Sequence, residues 1–535
     1  MPAALVWLRN DLRTHDHAPL ADAARWAAAR GAAVVPVYCV DPRHFGTTPH
    51  GFPKTGAHRA RFLLQALADL RARLRALGGD LVVRTGRPEA VLPALAQELG
   101  AVGDGGACFY HEEVASEETT VEAEVEAAMQ ALGVACEGRW GHTLLHPDDL
   151  PFDLDGLPDV FTKFRSAVEG RDNTFRPGVG PRPTIAAPDA LSAPGVDPGE
   201  LPTFELLDLE APAADPRARV RFEGGEGPGL ARLASWTEGR LARYKSTRNG
   251  LLDPDDATRL SPWLAHGCVS PRGVYEAVLD YERRFGRTEE TYWLVFELLW
   301  RDFFRFVAAK HGDRLFYSAG LQGARVPFRS LRYNDADARD DFERWRTGQT
   351  GVPLVDAAMR ELLATGYTSN RTRQNVASFL VKNLGVDWRA GAEWFESVVV
   401  DYDVASNWGN WAYVAGVGND ARGFRFFNVY KQAEEYDPNG DYVRHWLPEL
   451  AGVPGARVHR PERLSAAERE AAGLVLGRDY PEPMVDLFES AAEQERLWRR
   501  AAGRAAGQAA GRDRRFEGRR GRDPRGRDGR ARGRR

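Results

Sequence analysis

The sequence predicts an α/β N-terminal domain on a parallel, Rossmann-like sheet, then a long connector, then a mostly α-helical domain. Three observations predict this. Short apolar runs alternate with helical stretches up to about residue 140, and strands that alternate with helices build parallel sheets covered on both faces. Nine prolines lie between Pro177 and Pro216 with little periodicity around them, as in a connector between domains. After Phe222 the helical period dominates to about residue 430, so the second domain reads as α.

Taken in order, "ALVWLR" (4–9) and "AAVVPVYCV" (32–40) read as buried strands. "HRARFLLQALADLRARLRAL" (58–77) is an amphipathic helix, with Phe62, Leu63, Ala66, Leu67, Leu70, Leu74 and Leu77 in one stripe. "DLVVRTG" (80–86) is a strand, "RPEAVLPALAQELG" (87–100) a helix stopped by Gly100, and "ACFYHEEV" (107–114) a strand. Past the connector, "ETYWLVFELLWRDFFRFVAAKHG" (290–312) and "NRTRQNVASFLVKNLG" (370–385) are long helical runs. The divisions are therefore 1–140 (α/β), 141–221 (connector), 222–495 (helical) and 496–535 (an Arg/Gly-rich tail). From Gly503 onward, 13 arginines face four acidic residues, so the tail carries +9 and the remainder −13 of a net −4. So few apolar residues predict disorder. The charge suits a nucleic-acid arm, with a solubilising extension as the competing reading.

Composition excludes several classes. The four cysteines, at 39, 108, 136 and 268, form no C-x-x-C pair, so neither a zinc nor an iron–sulfur site is expected. His111, His142, His146, His266, His311 and His445 lack ligand spacing, and no metal is expected. There is no G-x-G-x-x-G, P-loop or G-x-S-x-G. No signal peptide and no apolar run of membrane length is seen; with few cysteines, the expected location is the reducing cytoplasm.

Three stretches carry the chemistry. "DYDVASNWGNW" (401–411) packs two aspartates, two asparagines and two tryptophans together. A capped, turn-rich junction beside a core is one reading of it. "TYWLVFELLWRDFFRF" (291–306) puts Glu297, Trp300, Arg301 and Phe304 on one helical face. An acid and an arginine in so apolar a helix need partners or a ligand, and a structural Glu–Arg pair competes with the ligand reading. "NRTRQN" (370–375) places Asn370, Arg373 and Gln374 along another helix, and the aspartates of 401–411 supply acids for Arg373. Amides, carboxylates, arginines and indoles without a hydrolytic nucleophile suit a polar aromatic cofactor that performs the chemistry itself. A flavin fits.

At these residues the chain resembles the photolyase/cryptochrome family, and within it the cryptochrome-DASH branch, over nearly its whole length before the tail. "FGTTPHGFPKTGAHRARFLL", "WGHTLLHP", "LPDVFTKFR", "SNRTRQNVASFLVK" and "NWGNWAYVAGVGND" carry the resemblance. It implies an α/β antenna-binding domain and a helical domain holding FAD. Tyr244 matches the start of the flavin site, and "ATRLS" (Ala257, Thr258, Arg259, Leu260, Ser261) the segment that holds its phosphates, with Ala257 in place of the usual hydroxyl. Arg301 is assigned to the same site. Arg373 and Asp401 match the pair over the flavin ring, Asp403 a further contact, and Asn407 the residue beside the reactive nitrogen. Glu297, Trp300, Asn370, Gln374 and Tyr413 match the lining of the cavity for a flipped-out pyrimidine dimer. Gln374 and Tyr413 stand where many relatives carry Met and Trp. Arg248, Arg371 and Gln432 match DNA contacts, and Glu113 the carboxylate of a 5,10-methenyltetrahydrofolate antenna. Trp411 and Trp388 match the inner and middle electron donors, with Tyr333 as the outer one.

The resemblance thus implies blue-light repair of pyrimidine dimers in single-stranded or looped DNA, with RNA as a further partner. The alternatives are a blue-light photoreceptor that has lost repair, a (6-4) photolyase and a regulatory nucleic-acid-binding protein. Gln374 and the lack of an active-site His pair speak against the second of these.

Overall fold

The computed structural model describes residues 2–192, 195–332, 335–420 and 423–520, with residues 506–520 described for their backbone alone. Five parallel strands form the first domain's sheet: β1 (Ala3–Leu8), β2 (Ala33–Val40), β3 (Val82–Thr85), β4 (Gly106–His111) and β5 (Ala135–Arg139), in the order β3-β2-β1-β4-β5. Every residue of β1, β2 and β4 is buried, as a sheet covered on both faces requires. Helices α1 (Ala18–Ala28), α2 (Ala57–Ala76), α3 (Pro88–Leu99) and α4 (Ser116–Gln130) cover it. The stripe of α2 is buried at Phe62, Leu63, Ala66, Leu67, Leu70 and Leu74, and α3 ends at Gly100 in the left-handed conformation, φ 66°.

Strand β5 went unread in the sequence because "ACEGR" lacks an apolar run. It is an edge strand with no fully buried residue, and edges tolerate polar sequence. The strand order turns at β1, with β2 on one side and β4 on the other. The crevice beyond the carboxyl ends of β1 and β4 is where such sheets take ligands. Asn10 and Glu113 follow those two ends, and Asn10 Nδ2 donates to Glu113 Oε1 at 3.1 Å.

Residues 141–221 are more than a spacer. They contain α5 (Phe161–Val168), which buries Phe161, Phe164 and Val168. The second domain follows as α6 (Glu226–Thr237), α7 (Tyr244–Thr247), α8 (Ser261–Ala265), α9 (Pro271–Phe285), α10 (Glu289–His311), α11 (Ala336–Arg346), α12 (Pro353–Thr365), α13 (Asn370–Lys382), α14 (Trp388–Val398), α15 (Val404–Ala415), α16 (Val429–Tyr436), α17 (Asp441–Trp446), α18 (Ala466–Ala471) and α19 (Leu487–Arg520). One apolar cluster joins Phe62 and Phe109 of the first domain to Trp236, Trp263 and Phe303 of the second. The domains therefore share a core. Gly267, at φ 64°, sits so close to the Asn10 carbonyl that any Cβ there would collide with it. Arg272 clamps the buried Asp16 across the same junction.

The expected disorder from residue 496 is corrected by α19. Trp498 Nε1 donates to the Gly416 carbonyl at 3.1 Å, and Ala501 is 2% exposed. The Arg/Gly count hid the alanines, which favour helix, and Trp498 gives the segment an anchor in the core. Residues 521–535, the rest of the Arg/Gly tail, lie outside the described residues. Among the described residues no helix is long and apolar enough to cross a membrane.

Candidate functional site

Helices α7, α8, α10, α13, α14 and α15 enclose a cavity of about 530 Å³, within the range of cofactor pockets. It is lined by Tyr244, Ala257 to Ser261, Glu297, Trp300, Arg301, Asn370, Arg373, Gln374, Asp401, Asp403, Asn407, Trp411 and Tyr413. Residues expected at both a flavin and a flipped base thus face one chamber.

The floor is built on local helix chemistry. Asp403 is the N-cap of α15, accepting from Ser406 N at 2.8 Å, so the capped-junction reading of "DYDVASNWGNW" holds at a residue that also lines the cavity. Burial alone would raise the Asp403 carboxyl; Arg301 and Arg305 beside it hold it below the usual range. Arg373 Nη2 lies 3.0 Å from both Asp401 oxygens, and Ser261 Oγ donates to Asp401 at 2.6 Å. Asp401 is 4% exposed. Asn407 gives its Nδ2 to the Ala392 carbonyl at 3.0 Å, which leaves its oxygen as acceptor toward the cavity.

Ala257 has no hydroxyl, and the segment expected to hold phosphates offers backbone donors instead. Arg259 is left-handed at φ 52° and Leu260 right-handed, an alternation that aims successive N–H groups at one concavity. Among the described residues, the amides of Thr258, Arg259 and Leu260 have no protein acceptor. Arg232 fixes the turn from behind through the carbonyls of Pro254, Ala257 and Thr258. A row of backbone donors beside an Arg–Asp floor fits a flavin dinucleotide.

The mouth differs from the expected Glu–Arg pair on α10. Glu297 pairs with Arg248, not with Arg301. Arg301 instead donates to the carbonyls of His142 and Leu264. Burial raises the Glu297 carboxyl, more than Arg248 lowers it. Trp300 stacks on Phe161 with centroids 3.6 Å apart and meets Tyr413 edge-on at 5.9 Å. Among the described residues Arg371 is held by neutral acceptors alone, Asn249 and Gln374 at 3.0 Å and Gln432 at 3.2 Å. Gln432 does not itself line the cavity. Tyr367 and Asn410 line it and were missed. Asn410 was legible, since it lies midway between Asn407 and Tyr413 on one helix face.

Of the rings expected as electron donors, Trp411 and Trp388 lie among the described residues. Trp411 packs on Gly391, where a Cβ would strike its ring, and its indole neighbour is Trp345 at 6.2 Å. Trp388 touches Trp408 at 5.7 Å, and no ring contact joins Trp388 to Trp411 among the described residues. Tyr333 lies outside the described residues. Trp411→Phe is expected to abolish light-driven reduction of bound flavin, while Trp345→Phe and Trp388→Phe each lower its rate. Bleaching of the oxidised flavin under blue light reads this out; undiminished bleaching in Trp411→Phe would remove that residue from the path.

Glu113 is buried at the domain junction, paired with Arg305, which lies 3.5 Å from Asp403. Nearby, Asp11, His17 and His111 approach one another closely enough to suggest a metal site. His17 Nδ1, however, accepts from Leu20 N at 3.1 Å. Its proton is therefore on Nε2, 2.9 Å from Asp11 Oδ2, and His111 Nδ1 lies 2.8 Å from the same oxygen. Both imidazoles thus face one carboxylate oxygen, and the hydrogen bond to it comes from His111.

Comparison with known proteins agrees with this geometry. Residues 4–184 match DNA photolyase, and residues 293–500 match the FAD binding domain of DNA photolyase. The chain is 56% identical over 499 residues to cryptochrome DASH of Gloeobacter violaceus, covering 93% of this chain and 96% of that protein. It is 48% identical over 486 residues to cryptochrome DASH of Xenopus laevis, covering 89% of this chain and 88% of that one. Among solved structures, a Synechocystis cryptochrome superposes with TM-score 0.85 at 48% identity, over 93% of this chain and 99% of that one. A class III photolyase from Agrobacterium tumefaciens gives 0.78 at 30% identity, over 94% and 98%. With both domains matched, and relatives this similar over nine-tenths of its length, the chain belongs to the photolyase/cryptochrome family, among the DASH cryptochromes.

Proposed function

We propose that this chain is a cryptochrome-DASH deoxyribodipyrimidine photo-lyase. It splits cyclobutane pyrimidine dimers under blue light with FAD, and it prefers single-stranded, looped or locally unpaired DNA. RNA is a further ligand of the same surface, and the cytoplasm is its place of work. The observation that carries the reading is the shared chamber: Glu297, Trp300, Asn370, Gln374 and Tyr413 line the same cavity as Arg373, Asp401, Asp403 and Asn407. An extruded dimer would meet the cofactor there. FAD, when bound, reduced and excited, supplies the electron that opens the dimer ring and takes it back.

The protein's own part is to extrude, hold and stabilise. Trp300 and Tyr413 cross at 87°, giving two apolar walls for a kinked pair of bases. Arg248 lines the cavity, and Arg371 reaches it through Gln374. Among the described residues Arg371 has neutral acceptors alone, so a DNA phosphate can take it without stranding a carboxylate. Arg248 must leave Glu297 to reach a phosphate, and Glu297, then protonated, donates a hydrogen bond to the dimer carbonyl that gains charge. The Arg/Gly tail adds non-specific affinity for the strand.

A 5,10-methenyltetrahydrofolate antenna is placed by the same reading at the crevice between β1 and β4, with Glu113 as its carboxylate. A photolyase from Sulfolobus tokodaii, 26% identical with TM-score 0.72 over 93% of this chain, carries two FAD molecules, so a second chromophore has precedent in this fold.

Equilibrium binding of FAD-loaded protein to one dimer, placed in a single strand, a bulge or a duplex, tests the preference. Unstacking and unpairing cost a few kcal/mol, so duplex affinity should be lower by about tenfold to a hundredfold. Equal affinity for all three would remove the preference. Strong flavin photoreduction with no repair in any of them would favour the photoreceptor alternative.

A further inference from the structure

We propose that Cys108 and Cys136 form a peroxide-responsive dithiol site at the outer edge of the sheet. The two residues are register partners in the parallel pairing of β4 with β5. Register partners project from the same face, and neighbouring strands lie about 4.8 Å apart. That separation falls inside the Cα distance a disulfide spans, about 4.4–6.8 Å. Both side chains belong to the same apolar cluster on one face of the sheet.

Their exposure is unequal. Cys108 is 0% exposed, whereas Cys136 is partly exposed on the edge strand. A dissolved oxidant therefore reaches Cys136 first. The neighbouring Cys108 thiol lowers Cys136, while Cys136 and burial raise Cys108, so the accessible sulfur is the more acidic of the two. Cys39 lies on β2, which β1 separates from β4, and Cys268 is buried in the second domain. Neither is a register partner of another cysteine.

The step balances with hydrogen peroxide as the oxidant. The Cys136 thiolate attacks one peroxide oxygen; an S–O bond forms, the O–O bond breaks, and the leaving hydroxide takes the thiol proton as water. The Cys108 sulfur then attacks the Cys136 sulfenic sulfur; the S–S bond forms, the S–O bond breaks, and the second water leaves with the Cys108 proton. Two thiols and one peroxide give one disulfide and two waters.

The site is connected to the cavity. Strand β5 runs into 140–145, where the His142 carbonyl accepts from Arg301. Leu144 N and Leu145 N donate to Asp302 at 2.9 and 2.8 Å. A crosslink between β4 and β5 fastens the edge strand that carries this support of α10.

The test uses the full FAD-loaded chain treated with hydrogen peroxide. Free thiols titrated after denaturation should fall from four to two. Peptide mapping without reductant should join the Cys108 and Cys136 peptides, and dithiothreitol should reverse both changes. In Cys108→Ser, Cys136 should stop at a sulfenic acid captured by dimedone. Should that buried substitution fail to fold, Cys136→Ser lies on the exposed edge, and its three thiols should all survive. Four surviving thiols in the unmodified protein, a Cys136 sulfinic acid beside reduced Cys108, or a crosslink to Cys39 would each overturn the proposal.

Discussion

Arg373→Ala is expected to purify nearly colourless. Its guanidinium lies 3.0 Å from both oxygens of Asp401, whose side chain is 4% exposed. Removing it leaves that carboxylate with the Ser261 hydroxyl alone. Stranding a buried charge costs about 3–5 kcal/mol, which is a factor of more than about a hundred in occupancy if it falls on the bound state. Arg373→Lys keeps the charge without the two-pronged geometry and should retain part of the flavin. The ratio of flavin to protein absorbance measures this. Full occupancy in the alanine variant would contradict the role given to the pair.

Glu297→Ala is expected to slow dimer splitting by about tenfold to a hundredfold, the effect of about 1.5–3 kcal/mol from a hydrogen bond to developing charge. Lesion affinity should change less, because the bond strengthens only as the dimer gains charge. The pH dependence follows from the raised Glu297 carboxyl. The neutral acid donates, so splitting should be full below its pKa and fall as pH rises through it. Glu297→Gln donates at every pH and should flatten that profile. Laser-flash measurement of splitting in the pre-reduced protein separates this step from photoreduction. An unchanged rate in Glu297→Ala would take the residue out of the chemistry.

Much of this architecture was legible because burial on both faces leaves a mark in composition. The apolar runs of β1, β2 and β4 and the stripe of α2 could be read directly. Strand β5 could not, since an edge strand needs no apolar run. Helix α19 was hidden by a charge count that passed over its alanines and Trp498. In the site, helical spacing put Glu297, Trp300 and Arg301 on one face, and the cavity uses all three. Spacing could not say which cation Glu297 would meet, because Arg248 comes from α7, a separate element. The Asp11–His17–His111 cluster was equally invisible, being assembled from three separate segments. The backbone donors of Thr258 to Leu260 depend on a left-handed Arg259, and no side chain announces that conformation.

The central claim is that one chamber brings a dimer and a flavin together for light-driven splitting. The most direct measurement is the quantum yield of dimer splitting on a single-stranded oligonucleotide carrying one cyclobutane thymine dimer, with the FAD-loaded protein reduced beforehand. Blue light should restore two thymines with turnover, the dark reaction should give none, and Trp411→Phe should leave the yield largely intact because reduction has already been supplied. A fully reduced, dimer-bound protein that absorbs blue light and leaves the dimer whole would contradict the account.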